Sequence, residues 1–251
     1  MSKSIVCALL IGRKGSVGFP GKNVSPVLGR PLVAYPLLAA KKSCKVERIF
    51  VSTDSPEIMT IAKDYDAELI ERPPELATKQ ALGEDVFAHG YHEIKARLAK
   101  ERQSIELLVL LLANAATLNS ELIDKGVDIL RADANFDSAV TTSVYNMWSP
   151  LRARKLGEDG CLRSMVPFET FGDPRTLNCD RDSQGDVHFA DMSISVVRPK
   201  CLENMGQGLL PQKWMGQRIA PIPNWGGCDV DYEWQVPMVE FWLRKHGFKD
   251  V

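Results

Sequence analysis

No stretch of this sequence is apolar for long. The longest unbroken apolar runs, Ile5 to Ile11 and Leu107 to Ala113, are seven residues each. A membrane-spanning helix needs about 20, so no membrane partner is expected. Charge of one sign is lacking as well. The 31 Lys and Arg stand against 32 Asp and Glu, a net charge of -1. A nucleic-acid binder presents a strongly basic surface, so no nucleic-acid partner is expected. Closely spaced cysteines are missing too. Cys7, Cys44, Cys161, Cys179, Cys201 and Cys228 are never nearer than 18 positions. That excludes Cys-x-x-Cys pairs and zinc spacings, and free thiols fit a reducing compartment. His89 and His92 stand three apart on a predicted helix, but nothing nearby completes a metal site, and a solvated helix face accounts for them. The N-terminal apolar run ends in Gly12-Arg13-Lys14-Gly15, a poor signal-peptide cleavage site. The expectation is a soluble cytoplasmic protein without repeats or low-complexity tracts.

What is present is ordinary globular composition, with 45% hydrophobic and 25% charged residues. The chain is long enough for a sizeable core, and residues 1–251 read as one domain. Strand patterns fall at Ser4 to Ile11, Val46 to Ser52, Ala67 to Ile70, Ile105 to Ala113 and Ser138 to Val144. Helical patterns alternate with them. Pro31 to Ser43 reads as a helix disturbed by Pro36, and Ser55-Pro56-Glu57 opens the next with a capping signal. Ala81 to Ala99 and Ser120 to Ala132 are the other two. Ile105 to Ala113 is almost wholly apolar, as in a strand covered on both faces. The alternation predicts an α/β fold, a mostly parallel twisted sheet with helices on both faces. Residues 146–186 break the pattern, being rich in Pro, Gly, Arg and Asp, and read as an insertion. Strands at Val187 to Val197 and Arg218 to Pro221 and a helix at Tyr232 to His246 close the chain.

The most informative stretch follows the first strand. Glycines recur at Gly12, Gly15, Gly18 and Gly21, with Arg13, Lys14 and Lys22 between and beside them. Glycine permits positive φ and close approach of a ligand. Successive backbone N–H groups make an anion cradle, to which Arg13 and Lys22 add full charges. The carboxyl end of a strand is where such folds bind ligands. A flexible surface loop is the plainer alternative. Two familiar phosphate motifs fail. A P-loop would need glycine at Ser16 and Ser or Thr at Asn23, and no two of these glycines are two apart as a dinucleotide fingerprint requires.

The stretch Ile11-Gly12-Arg13-Lys14-Gly15-Ser16-Val17-Gly18 with Lys22-Asn23 resembles the signature loop of the acylneuraminate cytidylyltransferase family. Gly29-Arg30-Pro31-Leu32-Val33-Ala34-Tyr35, Val51-Ser52-Thr53-Asp54-Ser55, Arg72-Pro73 with Glu75-Leu76-Ala77-Thr78, and Cys228-Asp229-Val230-Asp231 resemble further family segments in family order. The resemblance implies a Rossmann-like nucleotidyltransferase fold and transfer of CMP from CTP to an anionic acceptor, foremost a nonulosonic sugar acid, with loss of pyrophosphate. It implies Arg13, Lys22 and Asn23 on the triphosphate, within a loop to which Gly12, Gly15 and Ser16 belong. It implies Ala77 and Thr78 against the cytosine through backbone groups, and Asp229 and Asp231 on Mg²⁺. Spacing of two on an extended segment points both carboxylates the same way. A helix cap at Asp231 is the plainer alternative. Asp54 is a lesser candidate at the strand end.

Two departures bear on function. Val17 replaces a family lysine, with Lys14 as neighbouring substitute. The family's Leu-Leu-Gln-Pro-Thr-Ser-Pro-Leu-Arg is here Leu110-Leu111-Leu112-Ala113-Asn114-Ala115-Ala116-Thr117-Leu118. That segment borders the acceptor, so the acceptor half has changed while the nucleotide half is kept. Asn114 stands there as an acceptor-binding candidate. Arg175, near Asp180, Arg181 and Asp182 in the insertion, is another, with a solvated charge cluster as its alternative. The insertion is also the expected homodimer contact, with a lid folded back onto its own sheet as the plainer alternative. Rival readings are transfer to a small phosphonate, use of another nucleotide, or a silent nucleotide-binding protein.

Overall fold

The computed structural model describes residues 3–15 and 18–251. Its strands are β1 (Lys3–Gly12), β2 (Pro26–Val27), β3 (Arg30–Pro31), β4 (Arg48–Thr53), β5 (Glu68–Glu71), β6 (Gln103–Leu112), β7 (Ser138–Val144), β8 (Arg154–Leu156), β9 (Leu162–Ser164), β10 (His188–Val197) and β11 (Ile219–Pro223). The α-helices are α1 (Ala34–Lys42), α2 (Pro56–Asp64), α3 (Gly83–Lys100), α4 (Ser120–Ala132), α5 (Pro199–Glu203) and α6 (Val236–Lys245). Seven strands form one sheet in the order β11-β7-β10-β6-β1-β4-β5. Only β10 among them runs antiparallel to its neighbours β6 and β7.

Alternation along β1 shows why both faces are covered. Val6, Ala8 and Leu10 pack with Leu37, Ile58 and Val127, side chains of α1, α2 and α4. Ile5, Cys7 and Leu9 face the other way, against Phe87, Tyr91 and Ile94 of α3. A strand apolar at every position suits this environment. A third cluster holds Val27, Tyr35, Val230, Val239 and Trp242, and it fixes α6 beside the β2–β3 hairpin.

Local chemistry sets the helix bounds. Ser55 caps α2, its hydroxyl accepting from Ile58 N. Asn119 does the same for α4 through Leu122 N. Two expectations are corrected. Pro36 does not disturb α1, because it falls in the first turn, where an N–H has no intrahelical partner. The closing helix begins at Val236, after a 3-10 turn at Glu233–Gln235. Gln235 turns back so that its Oε1 accepts from both Asp231 N (2.7 Å) and Tyr232 N (2.8 Å). Gln235, not Asp231, therefore caps this turn. The insertion contributes no residue to the three core clusters. It consists of the β8–β9 hairpin and short turns, with residues 150–186 exposed or half-buried.

Candidate active site

The parallel ends of β1 and β6 bring the two informative segments together. Gly12 ends β1, and a Cβ there would lie 2.5 Å from Ala113 Cβ. Glycine lets the chain leaving β1 pass this close to the chain leaving β6. Beyond it the loop is pinned at two points. Lys14 N donates to Asp54 Oδ1 (2.8 Å), and buried Asn23 donates from Nδ2 to Arg13 O (3.1 Å). Asp54 and Asn23 therefore shape the loop. Gly15 (φ 81°) and Gly21 (φ 75°) take the left-handed conformation that favours glycine.

A cleft of about 360 Å³ opens between this loop, the β6 end and Asp231-Tyr232, and Asp229 stands behind its wall, bonded to Asn114. Gly12, Arg13, Lys22, Asn23, Asn114 and Asp231 all line it, joining candidates more than 200 positions apart. Lys22 Nζ pairs with Asp231 Oδ1 at 2.5 Å. The lysine side chain is only 12% exposed, whereas that of Asp231 is 59% exposed. Asn114 ties the two walls, with Nδ2 donating to Asp229 Oδ2 (3.2 Å) and Val230 O (3.0 Å), while Val230 N donates to Asn114 O (2.9 Å).

Asp229 and Asp231 differ in environment. Burial, with the like charge of Asp231 beside it, holds the Asp229 carboxyl above its usual range. Lys22 and the Asn114 amide only partly offset this. Asp229 is bonded to Asn114 and Asp231 is paired with Lys22, and both offer hard oxygen donors. These two residues could hold Mg²⁺, which takes few protein carboxylates and completes its shell with phosphate and water. No group of three or more His, Cys, Asp or Glu that could hold a metal is found among the described residues.

Other candidates fall elsewhere. Gly15 lines a neighbouring recess with Arg13, Ser55 and Glu57. Ser16 and Val17 lie outside the described residues. Ala77 and Thr78 are not among the cleft-lining residues, though Leu76 and Ala81 on either side are. The Thr78 hydroxyl instead joins its own turn, donating to Glu75 O and accepting from Ala81 N. Arg175 stands on the insertion surface, 89% exposed and paired with Asp173. One chain alone does not bring it to the cleft.

The cleft also holds residues to which motif reading gave no role. Arg72 is 8% exposed, with Nη2 donating to Ser52 O (2.5 Å) and Nε to Ser52 Oγ (3.3 Å). Burial pulls its pKa down from the usual guanidinium value; the Asp54 carboxylate opposes this in part, and the charge of Arg13 adds to it. A buried cation in a cleft with a second cation nearby favours an anionic ligand. Its signal was present in Arg72-Pro73. Tyr232 forms the outer lip and would meet a side chain placed at Gly18.

The family described as Cytidylyltransferase matches residues 7–146. The chain is 28% identical over 170 residues to a bifunctional pseudaminic acid cytidylyltransferase and UDP-2,4-diacetamido-2,4,6-trideoxy-beta-L-altropyranose hydrolase of Helicobacter pylori, covering 67% of this chain and 31% of that protein. It is 37% identical over 84 residues to the N-acylneuraminate cytidylyltransferase of Escherichia coli, 34% of this chain and 20% of that protein. The CMP-N,N'-diacetyllegionaminic acid synthase of Legionella pneumophila is 41% identical over 64 residues, 26% of this chain and 28% of that one. The chain therefore spans less than a third of the length of these relatives. A solved CMP:2-keto-3-deoxy-manno-octonic acid synthetase complexed with CTP shares the fold, at TM-score 0.66 and 14% identity, covering 97% of this chain and all of the other. With the family match extending over more than half of its 251 residues, the chain belongs to the cytidylyltransferase family.

Proposed function

We propose that the protein is an enzyme that transfers CMP from CTP to an anionic acceptor, foremost a nonulosonic sugar acid, and releases pyrophosphate. The observation that carries this is the meeting of Lys22 with Asp231 across a cleft that also holds Arg13 and Arg72. In the reaction an acceptor oxygen attacks the α-phosphorus and the bond to the pyrophosphate oxygen breaks. Lys22 and Arg13 offset the charge spread over the phosphates, and the loop N–H groups hold them in place. Mg²⁺ bound by Asp229 and Asp231 would supply further charge neutralisation at the phosphates. The sugar-acid acceptor is supported by the names of the relatives, which include pseudaminic acid and N-acylneuraminate.

Asn114 is the acceptor-side residue on the cleft wall. Leu118, at the place of the family's arginine, is fully buried in the core and offers no charge to an acceptor. Phosphonates therefore belong in the acceptor panel. We further propose a cytoplasmic homodimer. Six unpaired cysteines support a reducing compartment, and the exposed apolar side chains of the insertion support the dimer.

The test is pyrophosphate release with CTP, ATP, GTP or UTP, with Mg²⁺ or chelator, across keto-acid sugars and phosphonates. Release confined to CTP, metal and an acidic sugar is expected. A preference for another nucleotide would overturn the CTP assignment, and absence of turnover with CTP binding intact would favour a silent binder.

A further inference from the structure

Behind the cleft lies a buried carboxylate with no direct part in the chemistry above. Asp191, on β10, is 4% exposed. The strand bulges at this point. Ala190 pairs with Thr142 and Ser195 with Val140, so Asp191 to Ile194 all lie opposite Thr141. Met192 takes φ 63° within the bulge. Such a bulge re-aims a side chain that regular pairing would direct elsewhere.

Four neutral donors converge on the Asp191 carboxylate. Oδ1 accepts from Thr141 Oγ1 (2.6 Å) and Ser193 N (3.1 Å). Oδ2 accepts from Ser143 Oγ (2.9 Å) and Asn224 Nδ2 (3.0 Å). An ionised carboxylate only accepts, and it offers about four lone-pair sites. A buried charge is costly unless it is fully hydrogen-bonded, and here the bonds come from three separate parts of the chain.

Those bonds lead to the cleft. Ser143 Oγ also accepts from Gly227 N (2.9 Å), and a Cβ at Gly227 would stand 2.0 Å from Asp191 Oδ2. Asn224 Nδ2 donates as well to Thr117 O (3.1 Å). Thr117 Oγ1 accepts from Cys228 N (3.0 Å) and shares a bond with Ser193 Oγ (2.9 Å). Tyr145 OH donates to Gly227 O (2.9 Å). One carboxylate thus braces both the 114–118 segment, which carries Asn114, and the 224–231 segment, which carries Asp229 and Asp231.

We infer that Asp191 is a positioning residue for the metal-binding segment of the cleft, holding Asp229 and Asp231 in place for a divalent cation that enters with CTP. This rests on the CTP and Mg²⁺ reading given above.

The decisive variant is Asp191→Asn, which keeps shape and volume. Whichever way the amide faces, its NH₂ meets an N–H donor, from Ser193 N on one side or Asn224 Nδ2 on the other. Ser193 N is a backbone donor and stays one, and an Asn224 amide that flipped to offer Oδ1 would give up its bonds with Thr117 O and Trp225 N, so the bracing loses at least one bond. Ser143→Ala is the milder second variant. It leaves Asp191 charged, with three donors, and removes only the bridge to Gly227 N. Three measurements are made on each protein: CTP affinity without metal by calorimetry, Mn²⁺ affinity in the presence of CTP by electron paramagnetic resonance, and hydrogen exchange along the chain. The expected result for Asp191→Asn is unchanged metal-free CTP affinity and Mn²⁺ affinity weakened about tenfold or more. Amide exchange should speed up at 224–231 but not in β1 or β6. Ser143→Ala should shift Mn²⁺ affinity the same way by about threefold, and it decides the matter if Asp191→Asn does not fold. Wild-type Mn²⁺ affinity in a folded variant would overturn the assignment and leave Asp191 as a lock for the bulge alone. A matching loss of metal-free CTP affinity would overturn it too. If wild-type protein took up no Mn²⁺ with CTP, the metal reading itself would fall, and this inference with it.

Discussion

Lys22 and Asp231 show what a single residue pair can decide. Their side chains meet at 2.5 Å across a cleft that draws on both ends of the chain. Asp231→Asn should keep the fold and lose turnover on the order of 10² or more, the effect of deleting a group that stabilises developing charge. Unchanged turnover at saturating Mg²⁺ would remove Asp231 from the site. Arg13 tests the other wall. Its carbonyl is held by Asn23, but its half-exposed side chain supports no core cluster. Arg13→Ala should weaken CTP binding by tenfold or so, about 1.4 kcal/mol, with the melting temperature unmoved. Equal CTP affinity by calorimetry would refute that. Such residues were legible in the sequence because short motifs with special composition carry them. Arg72 and Asp191 were given no role by motif reading. Arg72 shows its role only once burial places its charge beside the cleft, and Asp191 only once a bulge turns it toward Ser143 and Asn224.

At the scale of elements, period and caps did most of the work. Helix α4 and strand β7 lie where apolar spacing put them, at Ser120–Ala132 and Ser138–Val144. The antiparallel direction of β10 was not legible, since local pattern says nothing of strand direction. The hairpin of β8 and β9 was hidden because its side chains are exposed and show no buried face. One junction between elements can be tested directly. Strand β1 ends at Gly12, where an added methyl would meet Ala113 Cβ at 2.5 Å and the tip of Ile58 at 3.2 Å. Gly12→Ala should destabilise the protein by about 1–3 kcal/mol, the usual cost of overpacking. A lower urea midpoint measures it. Adding Ala113→Gly should recover part of the loss, and a midpoint insensitive to either change would mean that β1 and β6 part at no cost.

The molecule as a whole stores neutral groups in its core and apolar groups on one flank, and each has a consequence. Burial pushes the Cys7 thiol from 9.0 up to about 12 and the Tyr35 phenol from 10.0 up to about 12. The folded state holds these protons more tightly than the unfolded chain does. Their contribution is complete below pH 9 and is lost as pH rises toward 12. Urea unfolding should therefore show a plateau to about pH 9 and a decline above it, and constant stability up to pH 12 would contradict this. On the flank, Trp148 is 61% exposed, Met165 51% and Phe168 36%, with Leu156 and Leu162 on the hairpin still more open. A recess of about 610 Å³ lies among Leu151, Arg152, Arg154 and Phe168. This segment sends nothing into the protein's own core clusters, and its large apolar side chains are at most half-buried by their own chain. Aromatic residues, Met and Arg are the types enriched at interfaces, and a closed twofold pairing is the commonest way to cover such a face. Light scattering at micromolar concentration should then give twice the 27.9 kDa of one chain. Trp148→Glu with Met165→Glu should return the single-chain mass without unfolding the sheet, because neither side chain belongs to a core cluster. A single-chain mass for the wild type would reject the dimer, and a dimer that survives both substitutions would place its interface elsewhere.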